Sequence, residues 1–297
     1  IPMKFIQFLF CAIFFQSCIA QPVHKIKSNA DANTLLWEIT GKDISKPSYL
    51  FGTFHLMCRE DIRFSNELKQ ALGSVEEVYF EMDLDDPSNT LGGLLFMNMK
   101  DGMSLKDLYS TEEYNRLELF FKDSLRMPLA TMKRMKPSVI EAVLYPKLMP
   151  CKNLSGVEME LMKLAQQDKK EIRGFETIAD QAAVFDSVPL DKQAKALMNT
   201  IDSFNIYQKT FDSLLLVYKN QQMPEIEKMM SRTESGLGES RYIMLDKRNI
   251  NWVAQLKKIM DKKNIFIAVG AGHLVGENGV IDLLKKEGYI LRPLLNK

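Results

Sequence analysis

Two of the three histidines in this 297-residue chain occupy the same short pattern, a glycine followed three positions later by a histidine. The copies are GTFH at residues 52–55 and GAGH at residues 270–273. Each follows a β-prone run, and glycine after a strand lets the backbone turn sharply and approach a ligand closely. Imidazole is the commonest protein ligand for transition metals. The repeated pattern predicts that His55 and His273 share one metal site, whereas a single copy would favour a structural histidine.

A catalytic metal centre usually has three protein ligands and an open position for water, so a carboxylate should complete the pair. Glu81 fits because VYFEMD places it at the exit of the strand after the first histidine. We expect Glu81 to act as a ligand or general base, with Asp83 as the fallback if the strand continues. The alternative is that Glu81 is a solvent-exposed acidic residue at the end of the strand, without a functional role.

Two further carboxylates, Glu158 and Glu176, each follow a short β-like run and open a helical segment. Acidic side chains favour helix N-termini because they interact with the helix dipole. From spacing alone, both residues are therefore interpreted as helix caps before they are interpreted as catalytic groups.

The elements that would position these residues form two similar units near the ends of the chain. Apolar and turn patterns predict a hairpin at 35–40 and 48–54, a helix at 65–72 with Ser65 as N-cap, strands at 75–82, 264–269 and 289–294, and a helix at 280–287. The predicted fold class is α/β, with two strand–GxxH–helix–strand units sharing one central sheet. Ligand sites in such sheets lie at the carboxyl ends of strands, where both histidines fall.

A large helical insertion, about 86–261, separates the two units. Its apolar residues recur at three- and four-residue spacing, and the pattern predicts helices that include 137–145, 190–218 and 242–260. Short β-like interruptions occur at 155–158 and 171–175, and the loop at 231–240 is the best internal break. We expect one α/β domain over residues 35–297.

The composition is that of a globular protein without a strong charge preference. Lys and Arg number 39 against 38 Asp and Glu, giving a net charge of +1, and 46% of residues are hydrophobic. A nucleic-acid-binding protein normally has a basic excess or a basic stripe, so we expect no nucleic-acid partner.

The N-terminus has the pattern of a secretory signal. Lys4 precedes an apolar run at 5–15, and small residues follow as far as Ala20. We expect residues 1–20 to be a signal peptide, 21–34 a flexible tail, and the mature chain to be exported to a periplasmic or cell-surface location without a transmembrane segment. Lipid attachment at Cys18, a retained membrane anchor and a buried core helix are the alternatives.

Removal of the signal would leave two cysteines, Cys58 and Cys151. An oxidising compartment permits a disulfide between them, but two cysteines are too few to indicate a fold that is built on disulfides. A disulfide and two free buried thiols remain equally open at this stage.

Several blocks together resemble the TraB/PrgY/GumN family, which is related to the Tiki metalloproteases and, more distantly, to the ChaN and erythromycin-esterase group. These blocks, which follow one another between about Leu35 and Leu294, are LFGTFHL, VYFEMD, SGVEMELMKLA, GFETIADQ, DKRNINWVAQLKK and FIAVGAGHLVGENGVIDLLKKEGY. The paired Gly-x-x-His blocks are the most specific part of the resemblance.

The resemblance implies that His55, His273 and Glu81 belong to an active centre, and it raises Glu158 and Glu176 above the capping interpretation. It also adds Arg248 and Asn249, and Arg248 would hold a carboxylate or carbonyl oxygen of a substrate. Tiki relatives are manganese- or cobalt-dependent peptidases, whereas most bacterial members have no settled substrate.

These observations support two hypotheses. The first is a metal-dependent hydrolase of amide or ester bonds, with a peptide as the expected substrate and manganese, cobalt or zinc as cofactor. Glu81, Glu158 or Glu176 would move the proton. The second is a non-catalytic exported protein that sequesters a peptide, a metal or a haem-like ligand. Turnover of a peptide library with added Mn²⁺ or Co²⁺ distinguishes the two.

Overall fold

The computed structural model describes residues 33–41, 44–231 and 241–297. The predicted signal at 1–20, nearly all of the predicted tail at 21–34 and most of the loop at 231–240 lie outside these residues. The strands within them are β1 (Leu36–Gly41), β2 (Ser48–Thr53), β3 (Met57–Cys58), β4 (Glu77–Met82), β5 (Leu154–Ser155), β6 (Glu171–Glu176), β7 (Ile265–Gly270) and β8 (Tyr289–Pro293).

Six of these strands form one mixed sheet in the order β6-β4-β7-β2-β1-β8. Strands β6, β4, β7 and β2 are parallel, and β1 is antiparallel to both β2 and β8. The predicted α/β class and the predicted hairpin of β1 with β2 are confirmed. Because β1 and β8 are neighbours, the first and last strands belong to one sheet.

The two central strands, β2 and β7, are buried along their whole length. Parallel strands covered on both faces have nearly continuous apolar sequences, which explains SYLFGT and IFIAVG. Their register pairs Gly52 with Val269 and Thr53 with Gly270. The register therefore sets the two Gly-x-x-His turns side by side at one edge of the sheet.

Helices account for most of the remaining chain. They are α1 (Asn66–Ser74), α2 (Pro87–Phe96), α3 (Thr111–Phe120), α4 (Pro137–Ala142), α5 (Tyr145–Leu148), α6 (Val157–Gln167), α7 (Ile178–Asp186), α8 (Leu190–Asp202), α9 (Phe204–Lys219), α10 (Met223–Ser231), α11 (Lys247–Met260) and α12 (Val280–Lys286). The Ser65 hydroxyl accepts a hydrogen bond from the backbone N–H of Leu68, as expected of the N-cap of α1. Within the described residues, no helix is long and apolar enough to cross a membrane.

The structure corrects the predicted continuity of two helices. The helix predicted at 190–218 is divided into α8 and α9 at Ser203, and the helix predicted at 137–145 ends at Ala142. Pro146 lies in the first turn of α5, where its missing N–H is tolerated. Apolar spacing does not reveal these two breaks because it continues across them. The helix predicted at 242–260 is continuous, and its first turn, Tyr242–Asp246, is π-helical.

The predicted insertion is not purely helical, since it supplies the edge strand β6. Two hydrophobic clusters occur in the described residues. One surrounds the sheet, and the other joins helices between Met99 and Ile201. The insertion therefore has apolar packing of its own and also contributes Glu176 to the carboxyl edge of the sheet.

Candidate metal and catalytic site

The four parallel strands bring the predicted site residues to one edge. His55 follows β2, His273 follows β7, Glu81 lies near the end of β4 and Glu176 ends β6. Parallel strands place their carboxyl ends together, which is where open α/β sheets bind ligands. Residues far apart in sequence thus converge because of strand direction and order.

Gly270 marks the centre of this convergence. A Cβ added at Gly270 would lie 3.2 Å from Glu81 Oε1, 3.6 Å from His273 Cδ2 and 3.7 Å from His55 Nε2. Its missing side chain leaves a space bordered by two imidazoles and one carboxylate. The two histidines therefore border one space with Glu81, and a side chain at Gly270 would crowd the Glu81 carboxylate.

His273 is held as a neutral, buried ring. Its Nδ1 lies 2.6 Å from Asn249 Oδ1, and the Asn249 amide N–H donates to the carbonyls of His273 and Asn278. That arrangement makes the Asn249 oxygen an acceptor, so Nδ1 carries the proton and Nε2 presents a lone pair. Burial lowers the pKa of His273 to about 4, against the charge of Glu81. Neutral imidazole oriented through its second nitrogen is the usual state of a metal-binding histidine.

His55 lies in a contrasting environment, with its side chain 74% exposed. Its Nδ1 lies 2.8 Å from Glu158 Oε1, and the Thr53 hydroxyl donates to the same oxygen at 2.5 Å. Desolvation lowers the pKa of His55, but the hydrogen bond and charge of Glu158, with the charge of Glu81, outweigh it and raise the pKa to about 9. Water at the exposed ring screens part of this attraction. Glu158 therefore orients His55. The capping prediction is corrected, because the N-cap of α6 is Gly156 and not Glu158.

The loop of His55 is fastened to the start of α6. A Cβ at Gly156 would lie 2.7 Å from the His55 carbonyl, and Val157 N–H donates to the Phe54 carbonyl at 2.9 Å. Strand β3 pairs with β5, and a disulfide joins Cys58 to Cys151 beside them. This bond settles the open pairing of the two cysteines. Within the described residues, the side chains of Cys58, Glu60 and Cys151 are close enough together to be considered as metal ligands. The disulfide bond, however, already engages both sulfurs.

Glu81 is a buried carboxylate with two fixed partners. Its Oε1 accepts from the backbone N–H of Gly270 at 2.9 Å and lies 3.7 Å from His273 Nε2. Its Oε2 accepts from Arg248 Nη2 at 2.7 Å. Burial alone would raise the pKa of Glu81, but the charges of the two histidines and Arg248, with the Gly270 hydrogen bond, lower it to about 2. Glu81 is thus an anion throughout the physiological range, which suits a ligand better than a base.

Asp83, the alternative candidate to Glu81, lies in a different environment from Glu81. Strand β4 ends at Met82, so Asp83 does not continue the face of Glu81. Burial and the neighbouring carboxyl of Asp85 raise the pKa of Asp83. The structure brings Glu81, and not Asp83, to the histidine pair.

Arg248 binds the protein's own acceptors. Its Nε and Nη2 donate to the Glu176 carboxylate, Nη2 also donates to Glu81, and Nη1 approaches Met244 O at 3.0 Å and His273 Nε2 at 3.2 Å. An arginine has five N–H donors, and these contacts engage all of them. In this arrangement Arg248 holds carboxylates of the site in place, whereas the resemblance implied a contact with substrate.

Trp252 forms the floor beneath these groups. It is 1% exposed, its indole N–H donates to Glu176 Oε1 at 3.0 Å, and its ring lies 4.5 Å from the His273 ring and 4.8 Å from the Arg248 guanidinium carbon. Sequence reasoning missed both Trp252 and Thr53. The available signals were the four-residue spacing from Arg248 to Trp252, which shares one helix face, and the position of Thr53 within the first turn.

The donor set has the chemistry of a site for a divalent transition metal, but the ligand atoms of His55, His273 and Glu81 do not all lie within 4.8 Å of one another in the described structure. Two imidazoles and a carboxylate border the space at Gly270, and Asn249 and Glu158 orient the two rings as partners behind metal ligands do. Arg248 Nη1 contacts the same His273 lone pair, so a metal bound to His273 Nε2 would displace that contact.

The fold and this cluster define an α/β protein with a histidine–carboxylate–arginine site at the carboxyl edge of its sheet. The chain belongs to the TraB/PrgY/gumN family, whose sequence model matches residues 35–293. It is 26% identical to Metalloprotease TIKI2 of Xenopus tropicalis, over 89% of this chain and 60% of that protein. It is 23% identical to Metalloprotease TIKI1 of Danio rerio, over 88% and 63%, and 24% identical to Metalloprotease TIKI1 of Homo sapiens, over 88% and 62%.

This chain therefore spans about three fifths of the length of the curated relatives it matches. No solved structure matches it. The predicted family is confirmed, and the metalloprotease names of the relatives make a metal-dependent protease a possible function for this chain.

Proposed function

We propose that this protein is an exported, metal-dependent hydrolase that cleaves amide bonds of peptides. The observation that carries the proposal is the approach of His55 Nε2, His273 and Glu81 Oε1 to the open side of Gly270. The names of the relatives support the same class of reaction. His55, His273 and Glu81 would hold the metal, with manganese, cobalt and zinc all compatible with nitrogen and oxygen ligands.

The bound metal would supply a more acidic water and polarise the scissile carbonyl. The residues of this chain divide the remaining work. Asn249 keeps His273 neutral at Nε2, and Glu176 balances the charge of Arg248. Because Glu81 has a pKa of about 2, we assign the proton transfer to another carboxylate.

Glu158 is the better candidate for that transfer. It lines the cavity beside the site together with Glu81 and His55, whereas Glu176 is bound by Arg248 and Trp252. Its Oε1 already accepts from Thr53 and exchanges a hydrogen bond with His55. A carboxylate held within reach of the reacting groups satisfies the geometric requirement for a general base.

Export is part of the proposal. The disulfide between Cys58 and Cys151 supports it, because such bonds persist in oxidising compartments. Mass spectrometry of the protein made in a bacterial host tests this part. We expect a mature chain that begins near Gln21, and an N-terminal diacylated Cys18 would replace soluble export with membrane attachment. A species that retains Met3 would contradict export.

The reaction is tested by treating the purified protein with a chelator, adding Mn²⁺, Co²⁺ or Zn²⁺, and following a peptide library by mass spectrometry. We expect cleavage that requires metal and disappears in His55→Ala and His273→Ala. Metal or peptide binding without cleavage would favour the sequestering protein instead. Cleavage that persists in both histidine variants would overturn the proposed site.

A further inference from the structure

A cavity of about 320 Å³ adjoins the site and is lined by two chemically different sets of residues. The charged groups of the site form one set, and apolar residues, called the apolar side below, form the other. The apolar side is made by residues from β4, the loop after it, α6, α7 and the turn before α11, namely Phe80, Met82, Leu84, Met159, Val184, Phe185 and Met244. Its volume lies within the range of small-ligand pockets, which are mostly apolar with a few polar groups that fix orientation.

The charged groups around the cavity are already paired with one another. His55 pairs with Glu158, and Arg248 pairs with Glu81. Gln181 is the remaining polar side chain among the described residues that line the cavity, and its amide points toward Glu176 at 3.4 Å. A charged substrate side chain on the apolar side would lose its water without gaining a partner, which is costly.

The apolar side is also adaptable and reaches the surface. Three of its seven members are methionines, whose flexible side chains fit apolar groups of different shapes. Met159 and Phe185 are 43% and 47% exposed, so part of the apolar side faces solvent. The wall therefore suits a range of apolar groups better than one particular group.

We infer that this cavity binds an apolar side chain of the substrate, aliphatic, methionine-like or aromatic, beside the bond at the histidine–carboxylate site. This inference rests on the proposed peptidase function for the cleavage step, but not for the binding. The apolar wall selects the side chain, and the charged side aligns the peptide bond.

The test uses peptides that differ at one position, occupied by Leu, Met, Phe, Asn, Asp or Lys. Leu and Asn have similar size and shape, so their difference isolates the effect of polarity. We expect the Leu, Met and Phe peptides to bind within a few-fold of one another and the Leu peptide to bind roughly 10- to 100-fold better than the Asn peptide. Calorimetry on the chelator-treated full chain measures binding, and mass spectrometry with added metal measures cleavage.

Val184→Asp provides the matched change in the wall, with Val184→Leu as its control. We expect Val184→Asp to lose the Leu preference and gain affinity for the Lys peptide, and Val184→Leu to keep the Leu preference. Thermal melting verifies folding, and Met159→Asp at the exposed mouth replaces Val184→Asp if that variant does not fold.

The outcomes separate this inference from the proposed reaction. A Leu preference in binding without cleavage of any peptide would support the apolar subsite and reject the peptidase. Cleavage that is indifferent to the varied side chain, or that favours Asp or Lys, would reject the subsite and support the peptidase. Failure of every peptide to bind or to be cleaved would overturn both.

Discussion

The two Gly-x-x-His turns follow adjacent parallel strands, yet they hold their histidines in opposite ways. His273 is 5% exposed and its Nδ1 is bound by the neutral amide of Asn249. His55 has a side chain that is 74% exposed and is bound by the carboxylate of Glu158. The pKa of His273 is lowered to about 4, and that of His55 is raised to about 9. The same sequence pattern thus produces one neutral ring and one ring that favours the proton.

This difference assigns different work to the two rings. His273 can present a lone pair at neutral pH without first releasing a proton, because burial already disfavours the charged form. In the proposed metal site, His55 would exchange its proton for the metal, and its carboxylate partner would make it a more basic ligand. There His273 would be the fixed ligand, and His55 the ligand exposed to solvent and to the cavity.

Replacing each histidine in turn with alanine is expected to have the largest effect on the proposed difference between His55 and His273. Either His55→Ala or His273→Ala should abolish stoichiometric metal binding, because a single imidazole and a carboxylate remain. His273→Ala should also lower the free energy of unfolding by about 2–4 kcal/mol, because it empties a buried space beside Trp252. His55→Ala should cost less than about 1 kcal/mol, since the ring is exposed.

Metal content by mass spectrometry and denaturant unfolding of the chelator-treated proteins measure these effects. Full metal occupancy in His273→Ala would make the second turn purely structural. Equal losses of stability in the two variants would remove the distinction between the fixed ligand and the exposed ligand.

The second largest effect is expected for the carboxylate between the rings. Glu81→Gln keeps the shape but removes the charge that both histidines share, and metal affinity should fall by about 100-fold or more, since even residues behind a ligand cost 10- to 100-fold. The loss of unfolding free energy should be limited to about 1–3 kcal/mol, because Glu176 still pairs with Arg248. Metal titration and thermal melting measure the two quantities, and the exposed Glu60→Gln is the control. A variant that unfolds but binds metal normally when folded would contradict the ligand role.

A third test uses the opposite pKa shifts. The pKa of His273 lies below its unfolded value of 6.5, so its contribution to stability is present above pH 6.5 and is lost as the pH falls toward about 4. The pKa of His55 lies above 6.5, so its contribution is complete below pH 6.5 and is lost as the pH rises through about 9.

Melting temperatures of chelator-treated protein between pH 4 and 9 should therefore show two separable slopes. His273→Gln should flatten the acid slope, and His55→Gln should flatten the alkaline slope. The same change in slope in both variants would show that the two rings titrate alike, contrary to their surroundings.

The sequence predicts the site better than it predicts the contacts behind the site. The α/β class, the hairpin and the histidine pair follow from local apolar runs, glycine turns and strand direction. The disulfide does not, because Cys58 and Cys151 are 93 residues apart and meet through the β3–β5 pairing. Arg248 likewise meets groups from β4, β6 and the turn after β7, so spacing could not reveal that its donors bind Glu81, Glu176 and His273.

The smallest expected effect concerns Thr53, which has no counterpart in the second turn, where Ala271 occupies the equivalent position. Thr53 is 1% exposed, and its hydroxyl donates to the same Glu158 oxygen that binds His55. Thr53→Val preserves the shape and removes this hydrogen bond, which should cost about 1–3 kcal/mol of unfolding free energy and up to about tenfold in metal affinity. Thr53→Ser keeps the hydroxyl and should retain most of both. Calorimetric metal titration together with denaturant unfolding measures the effect. If Thr53→Val and Thr53→Ser lose metal affinity equally, then Glu158 does not depend on Thr53, and the first turn holds its histidine through Glu158 alone.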